Sequence, residues 1–184
     1  LVDATLSAYE RFNGRLPWPA LVVYGPFLPL RERAAFERRA ARLPRVTTLE
    51  FHEHLENLVE KAAGVVCLGG YNTFCEVLSC KKRSLIVPRV TPRAEQLLRA
   101  RAATGLGLAQ TLEPTRLTPE TLAEAIIHLP EQPPPATHRV PGLLDGLRFI
   151  NQAVGKWRVE GPPRQGLREL ERAGVIRAAS GRRA

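Results

Sequence analysis

With 184 residues, 44% of them hydrophobic and 24% charged, the chain has the composition of a globular domain with a core of its own, which excludes the disordered and fibrous classes. No apolar run approaches the length that spans a bilayer. The net charge of +9, dominated by arginine, points to an anionic partner (a nucleotide, a phospholipid surface or nucleic acid) or to an arginine-rich solvated surface. Leu1 to Asn13 carries Leu1, Val2, Leu6, Tyr9 and Phe12 at helical spacing and predicts an amphipathic helix, closed by Asn13-Gly14. Ala20 to Tyr24 predicts a short apolar strand ended by Gly25-Pro26, and Leu30 to Leu43 a helix stopped by Pro44. Arg45 to Phe51 predicts a second strand, and Glu53 to Ala63 a helix facing inward with Leu55, Leu58, Val59 and Ala62.

Val65 to Leu68 is a buried-type strand followed by Gly69-Gly70, with a helix over Phe74 to Cys80. Ser84 to Val87 predicts another buried strand ended by Pro88, and Pro92 to Thr104 a helix with Leu97, Leu98 and Ala102 inward. Leu108 to Leu112 predicts a last strand. Thr118-Pro119-Glu120 is a helix start of cap, proline and first-turn acid, and that helix runs to about Leu129. Gly142 to Trp157 predicts a final helix with Leu143, Leu147, Ile150 and Val154. Residues 158–184 read as a basic tail, with a further helix over Leu167 to Ala173, so the expected domain is 1–157. The chain contains no Met and opens on a helix with no strand before it, as expected of a fragment.

Alternating strands and helices predict an α/β class: a Rossmann-like parallel sheet with helices on both faces. In such sheets ligands bind beyond the carboxyl ends of the strands. Three segments reach that edge: Phe51-His52, Gly69 to Glu76, and Pro88 to Gln96. The glycines permit a sharp turn, Asn72 or Thr73 can cap the next helix, and a helix start is a seat for phosphate. An aromatic and backbone amides at Phe51-His52 suit a flat base, and the Glu76 carboxylate suits a ribose diol. Glu95 and Gln96 suit sugar hydroxyls, and Arg89 and Arg93 suit phosphate charge. Taken singly, each residue also has a structural reading: Phe51 as core, Glu76 as a helix-surface acid, the arginines as solvated groups. Cys67, Cys75 and Cys80, an odd number without a CxxC pair, speak against a disulfide framework or a zinc site and for reduced, buried thiols in a cytosolic protein. His52 and His54 lack the further ligands of a metal centre, so no metal is expected.

Over Leu1 to Trp157, and most specifically at Val46 to Phe51, Gly69 to Glu76 and Pro88 to Gln96, the sequence resembles the C-terminal, donor-binding half of GT-B glycosyltransferases, close to the family 28 C-terminal domain of the MurG type. The resemblance implies a nucleotide-sugar donor, a UDP-sugar, bound with Phe51 and His52 at the base, Gly69, Gly70, Tyr71, Asn72 and Thr73 at the diphosphate, Glu76 at the ribose, and Glu95 and Gln96 at the sugar. It implies transfer to an acceptor hydroxyl with inversion and without a metal or other cofactor, and an acceptor that is often lipid-linked. It also implies a cytoplasmic location with peripheral contact at the inner membrane face. Thr91-Pro92-Arg93-Ala94 departs from the Asp-, Gln- and Asn-rich sugar-contacting stretch of the family. The acceptor site and the catalytic groups belong to an N-terminal domain that is not in this sequence. The first strand of the donor half is also absent, and the family's strand order places it between the strands at Leu21 and Val65. This polypeptide alone is therefore expected to be inactive.

Two other readings use the same residues. An epimerase of the same fold would need acids on both sides of the cleft, where this sequence offers Glu76 and Glu95. A non-catalytic anion-binding module would exploit the charge, but an aromatic content of 6% and the lack of a basic-plus-aromatic helix argue against nucleic acid.

Overall fold

The computed structural model describes residues 1–12, 15–137 and 140–160. Helices and strands alternate along the chain: α1 (Val2–Arg11), β1 (Ala20–Val23), α2 (Leu30–Ala40), β2 (Val46–Leu49), α3 (Leu55–Lys61), β3 (Val65–Cys67), α4 (Tyr71–Ser79), β4 (Ser84–Ile86), α5 (Glu95–Gly105), β5 (Gln110–Thr111), α6 (Pro119–His128) and α7 (Gly146–Glu160). The expected closure at Asn13-Gly14 and the helix over Leu167 to Ala173 lie outside the described residues. The chain divides into two units, Leu1–Pro141 and Gly142 onward.

Every strand pairing in the first unit is parallel. β1 pairs with β2, Ala20 opposite Val46 through Val23 opposite Leu49. β4 lies between β3 and β5. Parallel neighbours need a long crossover, and the intervening helices supply it. Among the described residues no ladder joins β1 to β3, so the strands form a two-stranded and a three-stranded sheet. The division falls where the resemblance implies a further strand.

The core explains why β4 is apolar at every side chain but one. Leu85 and Val87 join a cluster with Leu6 and Tyr9 of α1, Val22 of β1, Val46 of β2 and Leu122 and Ile126 of α6. Ile86, between them in sequence, points into a second cluster with Cys67 and Ala100, flanked by Phe74. Successive strand residues face opposite sides, so β4 is covered by helices on both faces, as a strand buried at every residue requires. α1 and α6 pack on each other. The Trp18 indole N–H donates to the Ile127 carbonyl at 3.1 Å, and the Tyr9 hydroxyl to the Trp18 carbonyl at 2.8 Å. α6 starts as its sequence requires: Thr118 Oγ1 accepts from the Thr121 N–H at 3.2 Å, and Thr121 returns a bond to the Thr118 N–H at 3.0 Å.

α2 is held to α1 by one guanidinium. Arg39 bonds Asp3 at 2.6 Å, Ser7 Oγ at 2.9 Å and both Glu10 carboxylate oxygens at 2.7 and 2.8 Å. The hydrogen bond from Arg39 holds the Glu10 carboxyl below its ordinary value of 4.5, against the opposing effect of burial. A depressed carboxyl contributes stability that is present above the unfolded value and lost as pH falls through the folded one. Arg39→Met is therefore expected to lower the urea midpoint at about pH 7 and to lower it less at about pH 3, as the pH falls toward the depressed value of folded Glu10. An equal loss at both pH values would show that the guanidinium acts by packing alone.

Three sequence expectations are corrected. α5 begins at Glu95 rather than Pro92, and its inner face is Ala100 and Ala103, not Leu98 and Ala102: Leu98 is 65% exposed. Small alanines let the helix approach Cys67 and Ile86 closely, which turns Leu98 outward. α4 begins at Tyr71, three residues earlier than expected. The last helix begins at Gly146 and continues through Glu160, so residues 158–160 are helical rather than tail. In that second unit Ile150 and Val154 are 58% and 41% exposed, and the Leu147 side chain lies outside the described set. No described helix is long and apolar enough to cross a membrane, and no described group of His, Cys, Asp and Glu is placed to hold a metal ion.

Candidate functional site

The site is built where β3 turns into α4. β3 ends at Cys67, whose carbonyl accepts the Val87 N–H at 2.8 Å and so extends the pairing beyond the strand. Cys67 is a free, buried thiol, and burial pushes its pKa up, so it is core rather than nucleophile. Gly69 follows at φ +75, in the left-handed region. A side chain there would meet Ile86 Cγ2 at 2.6 Å. The glycine is thus demanded twice, by backbone conformation and by the packing of β4 underneath. At Gly70 the space above is open, with no atom within 4 Å of where a Cβ would stand.

Gly70 is the N-cap of α4, with extended backbone at φ −56 and ψ 148. No described side chain caps the helix, so the expected capping by Asn72 or Thr73 is corrected. Because the backbone is already helical at Tyr71, Asn72 and Thr73 fall at the second and third helical positions, past the reach of a cap. The first helical bond is Phe74 N–H to the Gly70 carbonyl at 2.9 Å. The amides of Tyr71, Asn72 and Thr73 precede it and have no partner among the described residues. Tyr71 and Asn72 are exposed, so these donors open to solvent at the positive end of a nine-residue helix. Glu76 is half-buried and lies one turn beyond Asn72 and Thr73 on the same helix face, ~6 Å further along the axis.

The other two expected segments are placed as follows. Phe51 and His52 follow the carboxyl end of β2, with Phe51 56% exposed rather than in the core. His52 Nδ1 accepts the His54 N–H at 3.1 Å, which folds the short loop back before α3. α3 packs against α4, so the helices that follow these two loops are neighbours. On the loop after β4, Gln96 Oε1 accepts the Arg89 N–H at 3.0 Å and closes the turn on itself. That leaves the Gln96 amide nitrogen available. Arg89 and Arg93 are exposed, and their side chains have no ion-pair partner among the described residues.

Glu95 pairs with Arg99 one turn along α5. Sequence reasoning missed Arg99. Its guanidinium also donates to the Gly69 carbonyl at 2.8 Å and lies over the Tyr71 ring, 5.6 Å from the centroid. The one signal was the Glu-x-x-x-Arg spacing, which any solvent-facing helix pair shows. Two hollows lie elsewhere on the surface. One is lined by Arg83, Ser84, Leu108 and Leu129 at the amino end of β4, the other by Arg101, Thr104, Thr111, Glu113 and Arg116. Neither includes the glycine loop, whose donors lie on an open surface. The free amides of the loop can recognise an anion, whereas the Arg101 guanidinium in the second hollow is already paired with Glu113 at 2.7 Å.

Comparison with known proteins bears on the family and the fold. The family model described as the glycosyltransferase family 28 C-terminal domain matches residues 22–139. Two sequences named UDP-N-acetylglucosamine–N-acetylmuramyl-(pentapeptide) pyrophosphoryl-undecaprenol N-acetylglucosamine transferase are similar. The one from Syntrophotalea carbinolica is 32% identical over 92 residues, 50% of this chain and 26% of that protein. The one from Myxococcus xanthus is 33% identical over 88 residues, 46% of this chain and 22% of that protein. The matches thus span about a quarter of these relatives. Among solved structures, Acinetobacter baumannii MurG superposes with a TM-score of 0.54 at 20% identity, over 79% of this chain and 45% of that one. The calicheamicin glycosyltransferase CalG4 superposes with a TM-score of 0.53 at 19% identity, over 97% and 40%. These structures share the α/β fold that the sheets and helices display, and both are GT-B glycosyltransferases. With the family model covering most of its length, the chain belongs to the glycosyltransferase family 28 C-terminal domain family.

Proposed function

We propose that this domain binds the nucleotide-sugar donor of a glycosyl transfer, a UDP-sugar, with the diphosphate on the amides at the start of α4. The observation that carries the reading is the run of unpartnered N–H groups at Tyr71, Asn72 and Thr73 beneath an open Gly70, in a chain of this family. Phe51 and the backbone at His52 take the base, Gly69 to Thr73 the diphosphate, Glu76 the ribose, and Glu95 with the free amide of Gln96 the sugar. Fixed donors at a helix start hold the leaving diphosphate as its charge develops and need no reorganisation to do so. The names of the two sequence relatives specify UDP-N-acetylglucosamine and an undecaprenol-linked acceptor. We extend from them a UDP-linked donor, a lipid-linked acceptor and peripheral contact with the membrane that carries it. No metal enters the scheme, because the amides and arginines supply the positive charge. The acceptor site and the catalytic base lie on a further domain, so this chain alone is expected to bind donor without transferring sugar.

A thermal-shift series across UDP, GDP, TDP and their sugars tests the reading. A ligand that binds only the folded state stabilises it by about 2.7 kcal/mol at a hundredfold excess over its Kd. UDP and a UDP-sugar are expected to raise the midpoint, with GDP and TDP leaving it in place. A shift with GDP alone would overturn the base assignment, and no shift with any of them would overturn the donor site. Sugar transfer by this chain alone would contradict the placing of the catalytic groups elsewhere.

A further inference from the structure

Arg99 touches three groups of the site, drawn from two separate stretches of sequence. It pairs with Glu95 on its own helix, donates to the Gly69 carbonyl 30 residues away, and covers the Tyr71 ring. Its side chain is 19% exposed although it carries a permanent charge. A helix-surface ion pair makes only the first of these contacts and stays in water. The guanidinium has a planar fork of donors, so it can serve a carbonyl and a carboxylate at once while lying flat on an aromatic face.

We propose that Arg99 is a positioning residue that locks the phosphate-binding turn to the sugar-binding helix. The proposal rests on the donor-site reading above and concerns how that site is held. Gly69 precedes the free amides of α4, and Tyr71 is the first residue of that helix. With Arg99 bound to both, the turn has one setting and the amides of Tyr71, Asn72 and Thr73 converge before any ligand arrives. Arg99 also neutralises the two acceptors that would oppose an anion here, the Gly69 carbonyl and the Glu95 carboxylate. Without it both would stand unpaired beside the diphosphate, and a like charge there disfavours binding. The arginine thus acts through Gly69 and Glu95 and need not touch the ligand. A lysine in its place would keep the charge but could not fork to both partners or stack.

Arg99→Ala and Arg99→Lys in the whole chain test this with two measurements. The first is amide hydrogen exchange without ligand, over peptides covering Leu68 to Phe74 and, as a control for folding, α6. Arg99→Ala is expected to speed exchange in the Leu68 to Phe74 peptides by about tenfold at Phe74, whose N–H closes on the Gly70 carbonyl, while the unbonded amides of Tyr71 to Thr73 exchange freely in every variant and α6 keeps wild-type protection, with Arg99→Lys between. Unchanged exchange over Leu68 to Phe74 would overturn the proposal whether or not a nucleotide binds. The second is calorimetric binding of UDP and UMP. Arg99→Ala is expected to weaken UDP by about tenfold or more and UMP by less, with Arg99→Lys recovering part of the loss. Wild-type affinity for UDP in Arg99→Ala would overturn the positioning role and leave the donor site standing. A wild-type chain that binds neither nucleotide would overturn the donor site, and the role of Arg99 toward a diphosphate with it. If Arg99→Ala loses α6 protection, Arg99→Lys decides: faster exchange confined to Leu68 to Phe74 supports the tie, and wild-type exchange there overturns it.

Discussion

Gly69→Ala is expected to destabilise the protein by about 2–5 kcal/mol, a large share of the margin of a typical domain. Two costs add at this position. An L side chain at φ +75 meets its own following carbonyl, at about 1–2 kcal/mol. The new methyl would also lie 2.6 Å from Ile86 Cγ2, an atom of the fully buried Ile86 that cannot withdraw without moving β4, and overpacking of this kind costs about 1–3 kcal/mol. The two costs separate in a cycle with Ile86→Ala, which removes the obstructing methyl but leaves the backbone strain. In urea denaturation the double variant is expected to lose less than the sum of the single variants. Strict additivity would mean that the turn relaxes away from β4, and the close approach would then play no part in the demand for glycine.

Leu122→Ala is the second large effect, at about 2–5 kcal/mol. Leu122 is fully buried in α6 and belongs to the cluster that includes α1, both sheets and Ala40 of α2. Truncation leaves a cavity whose walls come from elements too far apart in the chain to collapse together. Leu98→Ala is the informative comparison, because the periodicity of its helix puts Leu98 inward and the structure leaves it 65% exposed. Its loss is expected within about 0.5 kcal/mol, as at other exposed sites. If urea midpoints showed equal losses for the two leucines, the face assigned to α5 would be wrong.

Those two leucines show how far the sequence could be read. Alternation of apolar strands with amphipathic helices gave the α/β class, and the Thr118-Pro119 start of α6 held because a cap is local chemistry. The face of α5 did not follow, since leucine outranks alanine in any count of hydrophobicity, while contact with a sheet selects for small size. The start of α4 was misplaced for a related reason. Asn72 and Thr73 are good caps by type, but the extended backbone of Gly70 begins the helix one residue before them. Glu76, Glu95 and Gln96 could be singled out by chemistry. That Gln96 spends its carbonyl oxygen on the Arg89 amide could not, nor could the attachment of Arg99 to the Gly69 carbonyl. Main-chain acceptors carry no residue code, so contacts to them are invisible before the chain is folded. The resemblance left open a gap or a collapsed pairing between the strands at Leu21 and Val65, and the division between β1 and β3 decides for the gap among the described residues, because strand composition does not say which strands pair.

The contact between Trp18 and Ile127 joins residues 109 positions apart. Closing a loop of that size costs about 4 kcal/mol in chain entropy beyond the constant term, before any contact repays it. The β1–α2–β2 and β3–α4–β4 segments each close within a few dozen residues, at a smaller cost in chain entropy. Neither segment alone completes the large cluster, which draws on α1 and α6 from opposite ends of the first unit. The large cluster is therefore complete only when the two ends of this unit meet, whereas the turn that carries the glycine pair takes its support from Ile86 and Arg99, nearer to it in the chain.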